Sequence, residues 1–247
     1  MKVIISPAKR MKPEQDILPQ QKPVFLEKTL VLKNYLQTLS FNDLKKLLVC
    51  NDSIAELNYH RYQTMDLNKT GSAALLTYDG IQYQYMAPQI FEQSYFEYIE
   101  HHLRILSGFY GILRPLDDVA CYRLEMQAKL KTEFCTSLYD YWKDDLYKEL
   151  VYQEDTIINL ASQEYSKIIE KYLTDEITYI TCHFGQLQNG KLTEKGVYVK
   201  MARGAMVRFM AENKVEKPEE LKNFCQLGFS YHEQLSDSKN YIYLMQK

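Results

Sequence analysis

Apolar positions along the chain follow two patterns, a short continuous run and a spacing of three to four residues. The runs at Lys2–Ile5 and Thr156–Leu160 predict short buried strands. The wider spacing is typical of amphipathic helices, and Ser40 followed by Asp43 is a pattern that begins a helix. We predict helices over residues 25–39, 40–50, 53–65, 95–106, 136–151, 162–173, 197–213 and 218–224, and further strands over residues 74–78, 81–85, 177–187, 229–231 and 241–244.

These elements alternate without a regular strand–helix–strand rhythm. Such an order favours an α+β fold with a mixed β-sheet and surrounding helices. No stretch rich in glycine and serine divides the 247 residues, and no internal repeat is evident. We therefore expect a single domain over residues 1–247.

The overall charge limits what kind of binding surface to expect. The formal net charge is −2, whereas a dedicated nucleic-acid-binding domain is usually basic, so any DNA site must be a local patch. The five cysteines are scattered without a CxxC pair, and no signal peptide or membrane-length apolar run is present. We expect a cytoplasmic protein with reduced thiols, no membrane partner, no metal site and no cofactor, and the oligomeric state stays open.

Residues 101–118, HHLRILSGFYGILRPLDD, form the most informative stretch of the chain. The pattern predicts the end of a helix, a tight turn from Gly108 to Gly111, and a short second helix, with Arg104 and Arg114 on either side. Two glycines let the backbone approach a ligand, and the amides at a helix start favour an anion. The stretch resembles a helix-hairpin-helix, which binds nucleic-acid phosphate without reading bases. Pro115, four residues after Gly111, predicts that the second helix is very short.

The predicted helix over residues 197–213 is the second informative segment. At 100° per residue, Lys200, Arg203 and Arg208 flank Gly204 on one face, and the opposite face is apolar. One interpretation is a phosphate-binding face on which the bare glycine admits a ligand. The other is a solvated face on which Gly204 permits close packing against another helix.

Two further groups of basic residues accompany this helix. If they converge with Lys200, Arg203 and Arg208, they form one positive groove, but the sequence does not show whether they do. The groups are Lys2, Lys9, Arg10 and Lys12 near the N-terminus, and Arg104, Arg114 and Arg123 in the middle of the chain.

Polar residues that follow the two buried strands suggest a different activity. Ser6 and Lys9 follow the first strand, and Asn159, Ser162 and Glu164 lie at the end of the second. Ligands of α/β sheets bind at the carboxyl ends of strands, so these residues are the alternative catalytic candidates, with Ser6 and Lys9 as nucleophile and base. The plainer interpretation makes Ser162 a helix N-cap, Asn159 a turn former and Lys9 a surface or phosphate-contacting lysine.

Six motifs in order along the chain resemble those of the peroxide stress protein YaaA family (UPF0246). They are IISPAK at 4–9, LSGFYGILRPLD at 106–117, YRLEM at 122–126, LYDYW at 138–142, NLASQEY at 159–165 and ARGAMVRF at 202–209. The resemblance implies a cytoplasmic bacterial protein that binds DNA and protects it during peroxide stress, in a response tied to limiting free iron.

Three functions follow from these observations. The first is a DNA-binding protein without enzymatic activity that recognises the backbone and shape of double-stranded or bubble DNA, with weak sequence preference. Its phosphate-binding candidates are Lys9, Arg104, Gly108, Gly111, Arg114, Arg123, Lys200, Arg203, Gly204 and Arg208. The second is an enzyme acting on a phosphorylated or nucleotide-like small molecule in an anion-binding pocket. The third is an interaction protein with an indirect role in stress.

Overall fold

A computed structural model describes residues 1–14 and 16–246. Its strands are β1 (Lys2–Ile5), β2 (Arg10–Met11), β3 (Ser72–Ala73), β4 (Tyr78–Asp79), β5 (Leu103–Ser107), β6 (Gly111–Leu113), β7 (Asp118–Val119), β8 (Thr156–Leu160), β9 (Thr178–Gln188), β10 (Lys191–Thr193), β11 (Cys225–Gln226), β12 (Phe229–Tyr231) and β13 (Asn240–Met245). Its α-helices are α1 (Leu26–Thr38), α2 (Phe41–Leu48), α3 (Asp52–Thr64), α4 (Ala74–Thr77), α5 (Ile81–Met86), α6 (Gln93–His102), α7 (Leu138–Trp142), α8 (Asp145–Val151), α9 (Gln163–Glu170) and α10 (Gly196–Asn213). Short 3₁₀ helices occupy Pro88–Ile90, Pro218–Asn223 and Glu233–Leu235.

Nine of the described strands join in one mixed sheet. The order is β11-β12-β13-β9-β8-β1-β5-β6, and β10 pairs with β9. The five strands from β13 to β5 are parallel, and antiparallel strands complete both ends. β1 lies between β8 and β5 inside the sheet, and its Val3, Ile4 and Ile5 are almost completely buried. The continuous apolar run is explained by this position, because a central parallel strand is covered on both faces.

The connections of β1 and β8 run in opposite directions across the sheet. From β1 the chain proceeds to β5 on one side, and from β8 it proceeds to β9 on the other. Loops that diverge in this way leave a crevice at the carboxyl ends of the two strands. The fold therefore places a natural ligand position where residues 6–10 leave β1 and residues 161–162 leave β8.

The α+β fold in a single domain with a mixed sheet is confirmed, as are most of its predicted elements. β1 and β8 have the predicted bounds, and α10 extends the predicted helix by one residue. The hydroxyl of Ser40 accepts the amide of Asp43 at 3.2 Å, which caps α2 as the sequence indicates. The predicted strands over residues 177–187, 229–231 and 241–244 correspond to β9, β12 and β13, and β9 pairs antiparallel with β10 as β12 does with β13.

The strands predicted over residues 74–78 and 81–85 are wrong, because these residues form mainly α4 and α5. The alternating apolar residues of 81–85 favour a strand, but α10 packs directly on this segment. The buried residues are Gln82, Tyr83 and Met86, which share one face of a helix. The helix predicted over 136–151 is in turn divided into α7 and α8 at Lys143, whose φ is 47°.

The structure has a β-hairpin where the sequence predicts a helix-hairpin-helix. α6 ends at His102, and the glycine turn then joins β5 to β6. The hydroxyl of Ser107 accepts the amides of Phe109 and Tyr110 at 3.2 and 2.9 Å, so the turn satisfies its own donors. The continuous burial of residues 103–113 explains the error, because a short apolar run does not distinguish a buried strand from a helix.

Among the described helices, none combines the length and apolar character that crossing a membrane requires.

Candidate functional site

A cavity of about 380 Å³ opens at the carboxyl ends of β1 and β8. Its wall is formed by the loop after β1, the start of α5, the first residues of α9 and the middle of α10, with Glu125 from the long connection after β7. The volume lies near the lower end of the range for small-molecule sites. The cavity occupies the crevice that the sheet topology creates.

Two serines join the strand ends at the base of this cavity. The amide of Ser162 donates to Oγ of Ser6 at 2.8 Å, and the two hydroxyl oxygens lie 3.1 Å apart. The hydroxyl of Tyr83 donates to the carbonyl oxygen of Ser6 at 3.0 Å. Ser162 occupies the N-cap position of α9, but its side chain makes no capping hydrogen bond there. Both serine hydroxyls are therefore directed to each other.

Four cations from two distant parts of the chain line the same cavity. Lys9 and Arg10 come from the loop after β1, and Lys200 and Arg203 come from α10. Lys9 forms an ion pair with Glu125 at 3.2 Å, and its side chain is 64% exposed. Lys200 is exposed and has no ion-pair partner among residues 1–14 and 16–246. Lys9 and Arg10 of the N-terminal basic group therefore converge with α10, whereas Lys2 forms an ion pair with Glu154 and does not line the cavity.

Acidic side chains balance part of this positive charge. Asp79 forms ion pairs with Arg10 at 2.5 Å and with Lys12 at 3.2 Å, and although burial opposes the change, these contacts lower the pKa of Asp79. Burial raises the pKa of Glu164, and the neighbouring Glu125 raises it further. The amide of Gln127 donates to Glu164 at 3.3 Å and partly opposes that rise. A carboxyl group with a raised pKa in a cavity is suited to proton transfer.

Two buried donors next to the cavity have no acceptor in the described structure. They are Nε2 of Gln82, a residue only 6% exposed, and Nε of Arg203. Burial also lowers the pKa of Arg203. Buried polar atoms are nearly always hydrogen-bonded, and leaving one unpaired costs about 1–3 kcal/mol. A bound group with acceptor atoms would satisfy these donors.

The alternative catalytic candidates are only partly brought together. Ser6, Lys9 and Glu164 line the cavity. Lys9 contacts Glu125, whereas Ser6 contacts Ser162, so the described contacts do not pair Ser6 with Lys9 as nucleophile and base. Asn159 is 2% exposed and accepts the amide of Ala161 at 2.9 Å, which shapes the end of β8. Asn159 acts as the turn former of the plainer interpretation.

The remaining arginines are held by local partners. Arg104 donates to the carbonyls of Glu100 and Leu103 at the end of α6, and burial lowers its pKa. Arg114 binds Asp117 at 2.8 Å, and Arg208 binds Glu212 at 2.6 Å. Arg123 reaches the edge of the cavity through Glu125, at 2.9 Å. Arg104, Arg114 and Arg208 are not among the residues that line the cavity with Lys200 and Arg203.

The three candidate glycines are positions of close packing. A Cβ on Gly108 would lie 2.4 Å from the carbonyl oxygen of Leu124, and one on Gly111 would meet the ring of Trp142 at 2.9 Å. A Cβ on Gly204 would lie 2.0 Å from the carbonyl oxygen of Gln82. All three glycines are buried, so none presents its amide to a phosphate. For Gly204 this corresponds to the helix-packing interpretation.

Among the carboxylate and amide side chains that line the cavity, Asp79, Gln82 and Glu125 were not predicted, and neither was a helical hairpin elsewhere in the chain. Gln82 was obscured by the strand prediction, and Asp79 and Glu125 lack a distinctive spacing. The hairpin of α2 and α3, joined by Val49, Cys50 and Asn51, was predicted as helices but not as a motif. Its Lys45 and Lys46 are paired with Asp52 and Asp43, at 2.6 and 3.8 Å, and the side chain of Asn51 caps α3.

In the parts of the chain described here, no group of three His, Cys, Asp or Glu side chains is arranged to hold a metal ion.

Comparison with known proteins defines the family. A family model described as peroxide stress protein YaaA matches residues 1–235. A UPF0246 protein of Desulfitobacterium hafniense is 62% identical over 245 residues, which cover 99% of this chain and 98% of the relative. UPF0246 proteins of Agathobacter rectalis and Lactiplantibacillus plantarum are 49% and 43% identical, over 98% and 100% of both chains. The chain belongs to the peroxide stress protein YaaA family, which supports a role in oxidative stress.

Proposed function

We propose that this protein acts in the cytoplasm during peroxide stress by binding DNA through its sugar–phosphate backbone, which protects the DNA. The observation that supports this proposal is the convergence of exposed cations at one cavity rim. We define the rim as Lys9, Arg10 and Lys200, which line the cavity, together with Lys12, which contacts the cavity residue Asp79. The link to limiting free iron, which the family resemblance implies, is part of the same proposal.

The exposure of the rim suits a phosphate backbone. The side chains of Lys9, Arg10 and Lys12 are 64%, 67% and 69% exposed, whereas their partners Glu125 and Asp79 are only 11% and 15% exposed. Each cation can therefore contact a phosphate on its exposed side and keep its carboxylate partner, because exchanging that partner for phosphate would leave a largely buried carboxylate without a counterion. Lys200 has no ion-pair partner among the described residues.

The salt dependence of binding tests the proposal. Contact of three or four phosphates by the rim gives a log–log slope of about −3 to −4 for duplex DNA. We would measure fluorescence anisotropy of a labelled duplex, and of the same sequence with an unpaired bubble, across about 50–200 mM salt. Failure of both DNAs to bind at about 50 mM salt would reject the proposal.

A matched pair of charge reversals assigns the binding to the rim. Lys200→Glu removes the rim cation that has no ion-pair partner among the described residues, and we expect it to weaken duplex binding about tenfold and to reduce the salt slope by about 1. Lys239→Glu makes the same charge change on an exposed residue before β13, at the amino ends of the parallel strands, opposite the cavity. Equal effects of the two substitutions would show that the rim has no special part in binding.

A second function is favoured by the position of the cavity at the diverging strand ends. It is an enzyme that acts on a phosphorylated or nucleotide-like small molecule, with Glu164 as the acid–base group. Incubation of the protein with nucleotides and phosphorylated metabolites, followed by mass spectrometry of the products, tests it. Product formation that Glu164→Gln abolishes would establish this function.

A further inference from the structure

The interior of the cavity differs in character from its rim. The lining also includes Gln82 and Arg203, whose buried side-chain donors are unpaired, and the largely buried tyrosines Tyr83 and Tyr165. A ligand that fills this space needs acceptor atoms for the donors and an apolar surface for the rings. Amide side chains and aromatic rings are the groups that proteins use to bind nucleic-acid bases.

The balance of charge limits how many phosphates the ligand carries. Four cations line the cavity, namely Lys9, Arg10, Lys200 and Arg203, and three carboxylates face them. The carboxylates are those of Asp79, Glu125 and Glu164, and each of them repels additional phosphate groups. A small excess of positive charge suits a single phosphate or phosphodiester and opposes a triphosphate.

We propose that the cavity is a binding site for one nucleoside monophosphate unit, whose phosphate contacts Lys200 at the rim and whose base contacts the amide of Gln82. The unit is either a free nucleotide or a nucleotide turned out of a DNA strand, and in the second case the inference rests on the proposed DNA binding. About 380 Å³ is enough for one such unit and excludes a duplex. Its base supplies the acceptor that the Gln82 amide lacks.

The substitution Gln82→Leu tests whether the side-chain amide of Gln82 binds a ligand or stabilises the fold. Leucine has nearly the same size and removes a buried donor that has no partner, so we expect unfolding of the variant at an equal or higher temperature. Isothermal titration with each of the four deoxynucleoside monophosphates should show at least tenfold weaker binding to the variant than to the wild-type protein. Inorganic phosphate, which has no base, should bind both proteins equally and more weakly.

Three outcomes would overturn the inference. They are no binding of any monophosphate at millimolar concentration, binding of inorganic phosphate as tight as that of the nucleotides, and unchanged nucleotide binding by Gln82→Leu. If Gln82→Leu does not fold, Lys200→Glu is the second variant, because its exposed side chain does not support the core. Loss of nucleotide affinity in Lys200→Glu supports the site, and unchanged affinity removes the phosphate contact on which the inference depends.

DNA with an unpaired bubble distinguishes this inference from the proposed function. We expect Gln82→Leu to retain the wild-type affinity for duplex DNA and to lose any preference for bubble DNA. Failure of the wild-type protein to bind duplex DNA rejects the proposed function but not a site for free nucleotides. Binding of duplex DNA without any nucleotide binding or bubble preference rejects the site and leaves the proposed function in place.

Discussion

Replacing Gly204 by alanine tests how the cavity is built. α10 crosses α5 so closely that a Cβ on Gly204 would lie 2.0 Å from the carbonyl oxygen of Gln82 and 2.9 Å from the amide nitrogen of Met86. Real Cβ atoms essentially never come within 3.0 Å of another heavy atom. The two helices must therefore separate by about 1 Å, and protein interiors do not absorb such a shift without loss of packing.

Two opposing contributions set the size of the effect. Alanine in place of glycine favours the helix by roughly 1 kcal/mol. Overpacking costs about 1–3 kcal/mol, and here it reaches the upper end because the atoms that clash belong to backbone and cannot rotate away. We expect Gly204→Ala to lower the free energy of unfolding by about 1–2 kcal/mol and to weaken nucleotide binding, because Gln82 moves with α5.

Urea unfolding of two variants measures this balance. Gly196 begins the same helix, and a Cβ there would have no heavy atom within 4 Å. Gly196→Ala is the control, and its free energy of unfolding should stay within about 0.5 kcal/mol of the wild-type value. If Gly204→Ala is as stable as the wild-type protein, close packing of α10 on α5 is refuted, and the interpretation of Gly204 as an open phosphate-binding position regains support.

The remaining predictions concern an ion pair and the thiols. The hydrogen bond to Glu194 raises the pKa of His183, so the stability that this pair contributes is fully present below about pH 6.5 and is lost as the pH rises through the raised pKa. The urea midpoint should fall as the pH rises from about 6.5 through the raised pKa of His183, and His183→Gln should flatten that fall. An equal dependence of the midpoint on pH in both proteins would contradict this prediction. Burial raises the pKa of Cys121 and Cys182, whereas Cys225 is exposed, so a thiol reagent should modify Cys225 first and Cys182 only after unfolding. Rapid modification of Cys182 in the folded protein would contradict this order.

The sequence predicts well those helices and strands whose formation depends on residues close together in the chain. The runs of β1 and β8 contain enough consecutive apolar residues to require burial on both faces, and Ser40 supplies its own capping hydrogen bond. α5 is the opposite case. The sequence of α5 is compatible with a strand as well as with a helix. The helix is favoured by its packing against α10 at Gly204. That contact spans more than a hundred residues of sequence, so no local pattern contains it.

The residues of the candidate site also fall into those that the sequence predicts and those that it does not. Ser6, Lys9 and Glu164 were found because strand ends are identifiable in a sequence, and Lys200 and Arg203 because helical spacing places them together. The neutralisation of Arg114 and Arg208 was also open to prediction, since Asp117 and Glu212 follow them at three and four residues. Gln82 was out of reach, because an amide becomes informative only when burial leaves it without a partner.

The rim and the interior of the cavity should contribute differently to binding of DNA. With a net charge of −2, the chain as a whole does not attract DNA, so attraction must come from cations within about one Debye length, roughly 10 Å, of the phosphates. The rim supplies such cations to any DNA. Gln82 can be reached only by a nucleotide that has left the stack, which costs least where a base is already unpaired. If both proposals hold, Gln82→Leu should reduce the difference in affinity between bubble and duplex DNA, and Lys200→Glu should weaken binding of both DNAs.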